Sequence, residues 1–137
     1  LFFQCGSTCY NFRNLRKKQS EKRVLGFLQP EGQVAGNKAV RQKAFLRVQE
    51  EFGTFSDYIW SFVDGEPVQN KFRFDRDVPA TSPVSDALSK DLKKRGFRFV
   101  GSTIIYAHMQ ATGLVNDHVV HCFRHKPCAR MASSDKG

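Results

Sequence analysis

No stretch of this 137-residue sequence approaches the ~20 consecutive apolar residues that a membrane-spanning helix needs. Cysteine is sparse. Four residues, at 5, 9, 122 and 128, are too few and too unevenly placed for a secreted disulfide scaffold, and they fit metal ligands or free core thiols better. The start, Leu1-Phe2-Phe3-Gln4-Cys5, shows neither a basic leader nor a long apolar run, so it does not read as a signal peptide and a soluble, cytoplasmic protein is expected. Acids are scarce as well: 22 Lys and Arg face 13 Asp and Glu, a formal balance of 22 − 13 = +9. That excess favours a polyanionic partner, nucleic acid before an anionic membrane surface, although a merely basic surface is compatible with it. Histidine does not occur before His108, there is one tryptophan, and neither an internal repeat nor a low-complexity tract is found.

What is present suits one domain. Forty per cent of the residues are hydrophobic, and thirteen phenylalanines supply the bulk of a real core, which argues against wholesale disorder. The first thirty residues carry Arg13, Arg16, Lys17, Lys18, Lys22 and Arg23 against the single acid Glu21 and read as a basic arm. From Asn37 the apolar spacing is helical: Val40, Ala44, Phe45, Val48 and Phe52 share a stripe, and Gly53 stands where a C-terminal cap belongs. Thr54 and Asp57 resemble a capping box that opens a short helix with Tyr58, Ile59, Phe62 and Val63 inward, ending at Asp64-Gly65. Trp60 belongs to the same amphipathic region and is read as core. Residues 66–81, with Pro67 and Pro79, read as a loop. Ser82-Pro83 restarts a helix through Val84, Leu88 and Leu92 to Lys93-Lys94-Arg95-Gly96, where cations suit the helix dipole and glycine the left-handed cap. Phe97-Arg98-Phe99-Val100 reads as a linker. Ser102 or Thr103 is expected to cap a helix that ends at Gly113, and Asn116 or Asp117 to cap a last one. The expected architecture is all-α, a bundle of short helices.

Two groups of residues could carry chemistry. His118 and Cys122 are four apart; on a helix they would lie on one face, one turn apart, and form half of a tetrahedral zinc site. Cys5 and Cys9 repeat the spacing and could supply the other half, while His121 and His125 are alternative ligands. The same residues also read as buried and unliganded. The second group is Glu31-Gly32-Gln33-Val34-Ala35-Gly36, in which a carboxylate beside small residues permits close approach of a planar ligand. An exposed Glu beside a flexible turn is the simpler alternative.

Longer blocks are more specific. Ser85-Asp86-Ala87-Leu88-Ser89-Lys90, Leu92-Lys93-Lys94-Arg95-Gly96-Phe97, Phe99-Val100-Gly101-Ser102-Thr103-Ile104, Met109-Gln110-Ala111 and Gly113-Leu114-Val115-Asn116-Asp117-His118 closely resemble the DNA-3-methyladenine glycosylase I family in order. Ala44-Phe45-Leu46, Phe52-Gly53 and Trp60-Ser61-Phe62 extend the likeness upstream. The resemblance implies an all-α repair enzyme, a truncated copy of the helix-hairpin-helix superfamily, that acts on alkylated double-stranded DNA and hydrolyses the N-glycosidic bond of 3-methyladenine. It further implies a monomer, a structural zinc held in part by His118 and Cys122 with Cys5 as third ligand, and a pocket in which Glu31 hydrogen-bonds the extruded base.

The likeness departs from the family at three places. The N-terminal zinc segment keeps Cys5-Gly6 alone, so the fourth ligand falls to Cys9 or water. Asn37-Lys38-Ala39 replaces the family's Leu-Ser-Trp after Gly36, which leaves Tyr10 and Phe12 as the nearest aromatics for stacking. The interval holding the helix-hairpin-helix is absent between Gly36 and Asn37, and the aromatic stripes are expected to lack partners as a result. On this reading residues 1–30 form a divergent basic segment, 31–126 the helical domain and 127–137 a flexible tail.

Overall fold

Strong helix formers dominate the stretch after Gly36, and they build the longest of the described helices, α1 (Ala35–Phe52). The computed structural model describes residues 35–133. Ala44 and Val48 of the expected stripe are buried and Phe45 and Phe52 are half-buried; Val40 lies outside the described side chains. Gly53 ends the helix at φ +83°, with its N–H donating to the Gln49 carbonyl at 2.8 Å. Only a residue without a β-carbon takes that turn cheaply.

Thr54 caps α2 (Phe55–Ser61): its hydroxyl oxygen accepts the Asp57 N–H at 3.0 Å and its O–H donates to the Asp57 carboxylate at 2.7 Å. Phe55, Tyr58, Ile59 and Trp60 are buried. Tyr58 and Phe55 join rings from neighbouring segments, with Phe45 stacked on Phe55 at 5.0 Å, Phe52 edge-on to Tyr58 at 5.0 Å and Phe97 tilted against Phe55 at 5.8 Å. The aromatic stripes therefore pack on one another, contrary to the expectation that they lack partners. Alternation of large rings from α1 and α2 supplies the surface that a missing element was expected to leave bare.

Serine and proline set the next start as the sequence indicates. Ser82 and Ser85 exchange backbone-to-side-chain bonds at 2.8 and 3.1 Å, opening α3 (Pro83–Lys94), whose Leu88 and Leu92 are buried. Arg95 then binds Asp91 one turn back at 2.6 Å and reaches Glu51 of α1, while its guanidinium lies 5.1 Å from the Phe52 ring and 5.0 Å from that of Tyr58. One cation thus ties α1, α2 and α3. Residues 97–100 form no strand; Phe97 and Val100 are buried, and Ser89 donates to the Val100 carbonyl.

The N-cap of α4 (Ser102–Thr112) is Gly101, not Ser102 or Thr103. Ser102 is occupied elsewhere: its hydroxyl meets that of Ser85 at 2.8 Å, fastening the start of α4 to the start of α3. Gly113 closes α4 in the left-handed region at φ 76°.

Two further corrections concern short extended pieces. Within the 66–81 loop, β1 (Val68–Gln69) pairs in parallel with β2 (Val115–Asn116), Val68 opposite Val115 and Gln69 opposite Asn116, and Asp75–Asp77 makes a single 3-10 turn. Asn116 therefore belongs to a strand and caps no helix. The last helix, α5 (His125–Ser133), begins seven or eight residues later than a cap at Asp117 or Asn116 predicts and includes residues 127–133 of the stretch assigned to the tail. Among the described residues the fold is all-α apart from this two-residue pair. No helix among the described residues is long and apolar enough to cross a membrane.

Candidate functional site

Residues 116–125 form the chemically richest corner among the described residues. The β1–β2 pair positions it: Asn116 donates its side-chain amide to Gln69 at 2.9 Å and to the His125 carbonyl at 3.2 Å, pinning the strand end to the start of α5. Asp117 follows and turns inward. Its side chain is 3% exposed and accepts three hydrogen bonds, from Tyr106 at 2.6 Å, Gln110 at 2.8 Å and Asn70 at 2.6 Å. Three donors on one buried carboxylate offset much of its desolvation cost. Burial, then the bond to Asp117, raises the Tyr106 phenol well above its ordinary range, so that it stays a donor.

That inward carboxylate explains why no helix starts here. Asp117 satisfies side chains of α4 and of the 70s loop rather than a helix's first N–H groups, and the chain continues through turns, with Cys122 N–H donating to Val119 at 2.8 Å and His125 N–H to Cys122 at 3.0 Å. His118 and Cys122 are therefore not one helical turn apart on a helix face. They nevertheless meet: His118 Nδ1 lies 3.7 Å from Cys122 Sγ. Two ligands at ordinary zinc–nitrogen and zinc–sulfur lengths, about 2.0 and 2.3 Å, sit about 3.5 Å apart in a tetrahedron. A separation of 3.7 Å is compatible with that spacing and equally with a direct thiol–imidazole hydrogen bond. Burial, followed by the nearby Arg124 and His125, lowers the pKa of His118, and Asp117 opposes this; the neutral imidazole so favoured is the ligating form.

The other expected residues divide sharply. His121 is exposed, and His125 Nε2 is engaged with the Asn70 carbonyl at 3.0 Å, so neither joins the pair. Glu31, Cys5, Cys9, Tyr10 and Phe12 lie outside the described residues, and among those described no cluster of three metal-ligating side chains occurs. Ala35 and Gly36 of the Glu31 motif are the first residues of α1, which runs on into Asn37 without a break, so no hairpin stands between them. Sequence reasoning takes Asp117 for a possible helix cap and does not single out its partners Asn70, Tyr106 and Gln110.

Comparison with known proteins agrees with this architecture. The methyladenine glycosylase family model matches residues 33–125. The chain is similar to DNA-3-methyladenine glycosylase 1 of Escherichia coli (strain K12), 50% identical over 80 residues that cover 58% of this chain and 43% of that protein. It is similar to DNA-3-methyladenine glycosylase of Haemophilus influenzae, 50% identical over 86 residues, 63% of this chain and 44% of that protein. Among solved structures, 3-methyladenine DNA glycosylase I superimposes with a TM-score of 0.60 at 40% identity over 84% of this chain and 65% of that one. The chain spans less than half the length of the curated relatives it matches.

Proposed function

We propose, from the premise that the chain belongs to the methyladenine glycosylase family, that it hydrolyses the N-glycosidic bond of 3-methyladenine in alkylated DNA. The observation that carries this reading is the family match over 33–125, which includes the Asp117-His118 corner and begins two residues after Glu31. The chemistry asks little of a general acid. A 3-methylated adenine is cationic in DNA, so the bond from C1′ to the base is already weakened; the base departs neutral with the bonding electron pair while water adds at C1′ and gives up a proton to solvent. The protein must unstack the nucleotide and satisfy the base's polar edge. In this reading the Glu31 carboxylate accepts a hydrogen bond from the exocyclic amine, and basic residues contact phosphates with an affinity that falls as salt rises.

Zinc has a structural part in the same reading. His118 and Cys122 would hold it, with Cys5 as third ligand and Cys9 or water as fourth; bound there, the ion would tie chain segments together and take no part in bond cleavage. The 3.7 Å separation supports the first two assignments. Purified protein is expected to carry about one equivalent of zinc, with chelation lowering its melting temperature. Metal-free protein of unchanged stability would remove zinc from the account.

The enzymatic test is release of free 3-methyladenine from methylated DNA by the wild type and by Glu31→Gln. Release by the wild type and a drop of at least tenfold in the variant are expected. A second reading, a non-catalytic member that binds DNA without preference for damage, is favoured by the uninterrupted passage of α1 from Gly36 into Asn37. Equal affinity for damaged and intact duplex, without excision, would select it.

A further inference from the structure

Among the described residues one buried side-chain nitrogen has no hydrogen-bond acceptor, Nε of Arg124. A buried N–H left unpaired costs stability, and folded proteins rarely keep one. The ion pairs of the described residues belong to Arg95, and Asp117, the acid nearest Arg124 in the chain, is committed to Tyr106, Gln110 and Asn70. The Arg124 guanidinium instead lies 5.4 Å from the Phe123 ring centroid, within cation–π range. Arg124 is half-buried and the Phe123 ring is 71% exposed. The side chain therefore reaches the surface, beside a ring that is free to turn aside and admit an acceptor.

Further cations stand on both sides. Lys126 and Arg130 are exposed on α5, which holds no acid and lies past the family match that ends at residue 125. The 70s segment is laced to the same corner: Val120 N–H donates to the Phe72 carbonyl at 2.9 Å and His125 Nε2 meets the Asn70 carbonyl at 3.0 Å. Lys71, between those two residues, is exposed. The acids of that segment, Asp75 and Asp77, stand further along with Arg73 and Arg76, and Asp77 accepts the Phe74 N–H at 3.2 Å. A guanidinium fork fits a carboxylate or a phosphate, and flanking lysines select the group of higher charge density. We propose that Arg124, Lys126 and Lys71 form a phosphate-binding site. A DNA strand and free phosphate present the same group; on the DNA-directed reading above, on which this inference rests for its source, the strand supplies it.

The test follows the Arg124 Nε–H signal by nitrogen–proton NMR, assigned by its loss in Arg124→Lys, while inorganic phosphate or an undamaged duplex is added. Duplex affinity is measured in parallel between about 50 and 200 mM salt. The signal should move with the duplex, and Lys126→Gln and Lys71→Gln should each reduce the slope of log affinity against log salt by about 0.9, the value for one phosphate contact. Arg124→Gln should do the same; if it fails to fold, the two exposed lysines still decide. Movement with inorganic phosphate and unchanged slopes uphold the site with free phosphate as its source. A signal that neither ligand moves overturns the proposal, as does one moved equally by chloride at the same ionic strength. Base release by the wild type with signal and slopes unchanged sinks this inference alone; a ligand-dependent signal without any base release upholds it and sinks the excision reading.

Discussion

Leu88 and Asp117 are both buried, yet their surroundings are held by opposite means. Leu88, with Leu92, Phe55 and Val48, lies in an apolar cluster whose members sit on helices begun and ended by their own neighbours in sequence. Asp117 is surrounded by polar groups from distant segments: Asn70 lies 47 residues away and Tyr106 11 residues away. The first corner tolerates small changes in direction because dispersion and burial are non-directional. The second depends on where each donor points.

The comparison can be broken most severely at Leu88. Leu88→Ala should cost about 2–5 kcal/mol, the range for deleting a buried leucine, and should lower the denaturation midpoint without altering the His118–Cys122 pair. Asp117→Asn is expected to cost about 1–3 kcal/mol through replacement of a charged acceptor by an amide with two donors, and in addition to reduce metal retention. Urea unfolding combined with metal analysis separates the two variants: an Asp117→Asn protein that is destabilised yet binds metal like the wild type would deny the corner its positioning role.

Acid sharpens the contrast from the apolar side. His108 is 5% exposed on α4, and burial pushes its pKa down to about 4 from the ordinary 6.5. The folded protein thus holds it neutral while the unfolded chain takes up a proton. Its contribution is complete above pH 6.5 and declines as pH falls toward 4, amounting to a loss of about 2 kcal/mol at pH 5. Melting temperatures measured from pH 7.5 to 5 should fall, and His108→Phe should flatten that dependence; an unchanged slope in the variant would assign the acid sensitivity elsewhere. The smallest effect belongs to a cap. Thr54→Ala should cost about 1 kcal/mol, seen as a modest shift of the midpoint, and leave base release unchanged.

The two corners also differ in how far sequence discloses them. Gly53, Thr54, Ser82-Pro83, Gly96 and Gly113 mark helix ends by local chemistry, and the structure has those ends where the residues put them. Trp60 falls in the core for the same reason, its place on an amphipathic stripe. Ser102 misled because a hydroxyl before a helix can either cap it or bond a distant residue, and Ser85 decides that choice through the fold. Asp117 misled in the same way. A helix across 118–122 was a fair expectation from spacing, and the parallel pairing of Val115–Asn116 with Val68–Gln69 overrode it. The His118–Cys122 meeting survives that change because successive turns, like a helix, bring residues four apart close together.

The most direct test of the account is a single-turnover reaction, with folded wild-type protein in excess over lesions in methylated duplex DNA and the released bases separated by chromatography. The account predicts that free 3-methyladenine appears in a first-order phase until the available lesions are consumed. No released 3-methyladenine, from protein shown to be folded and bound to the same duplex, would contradict it.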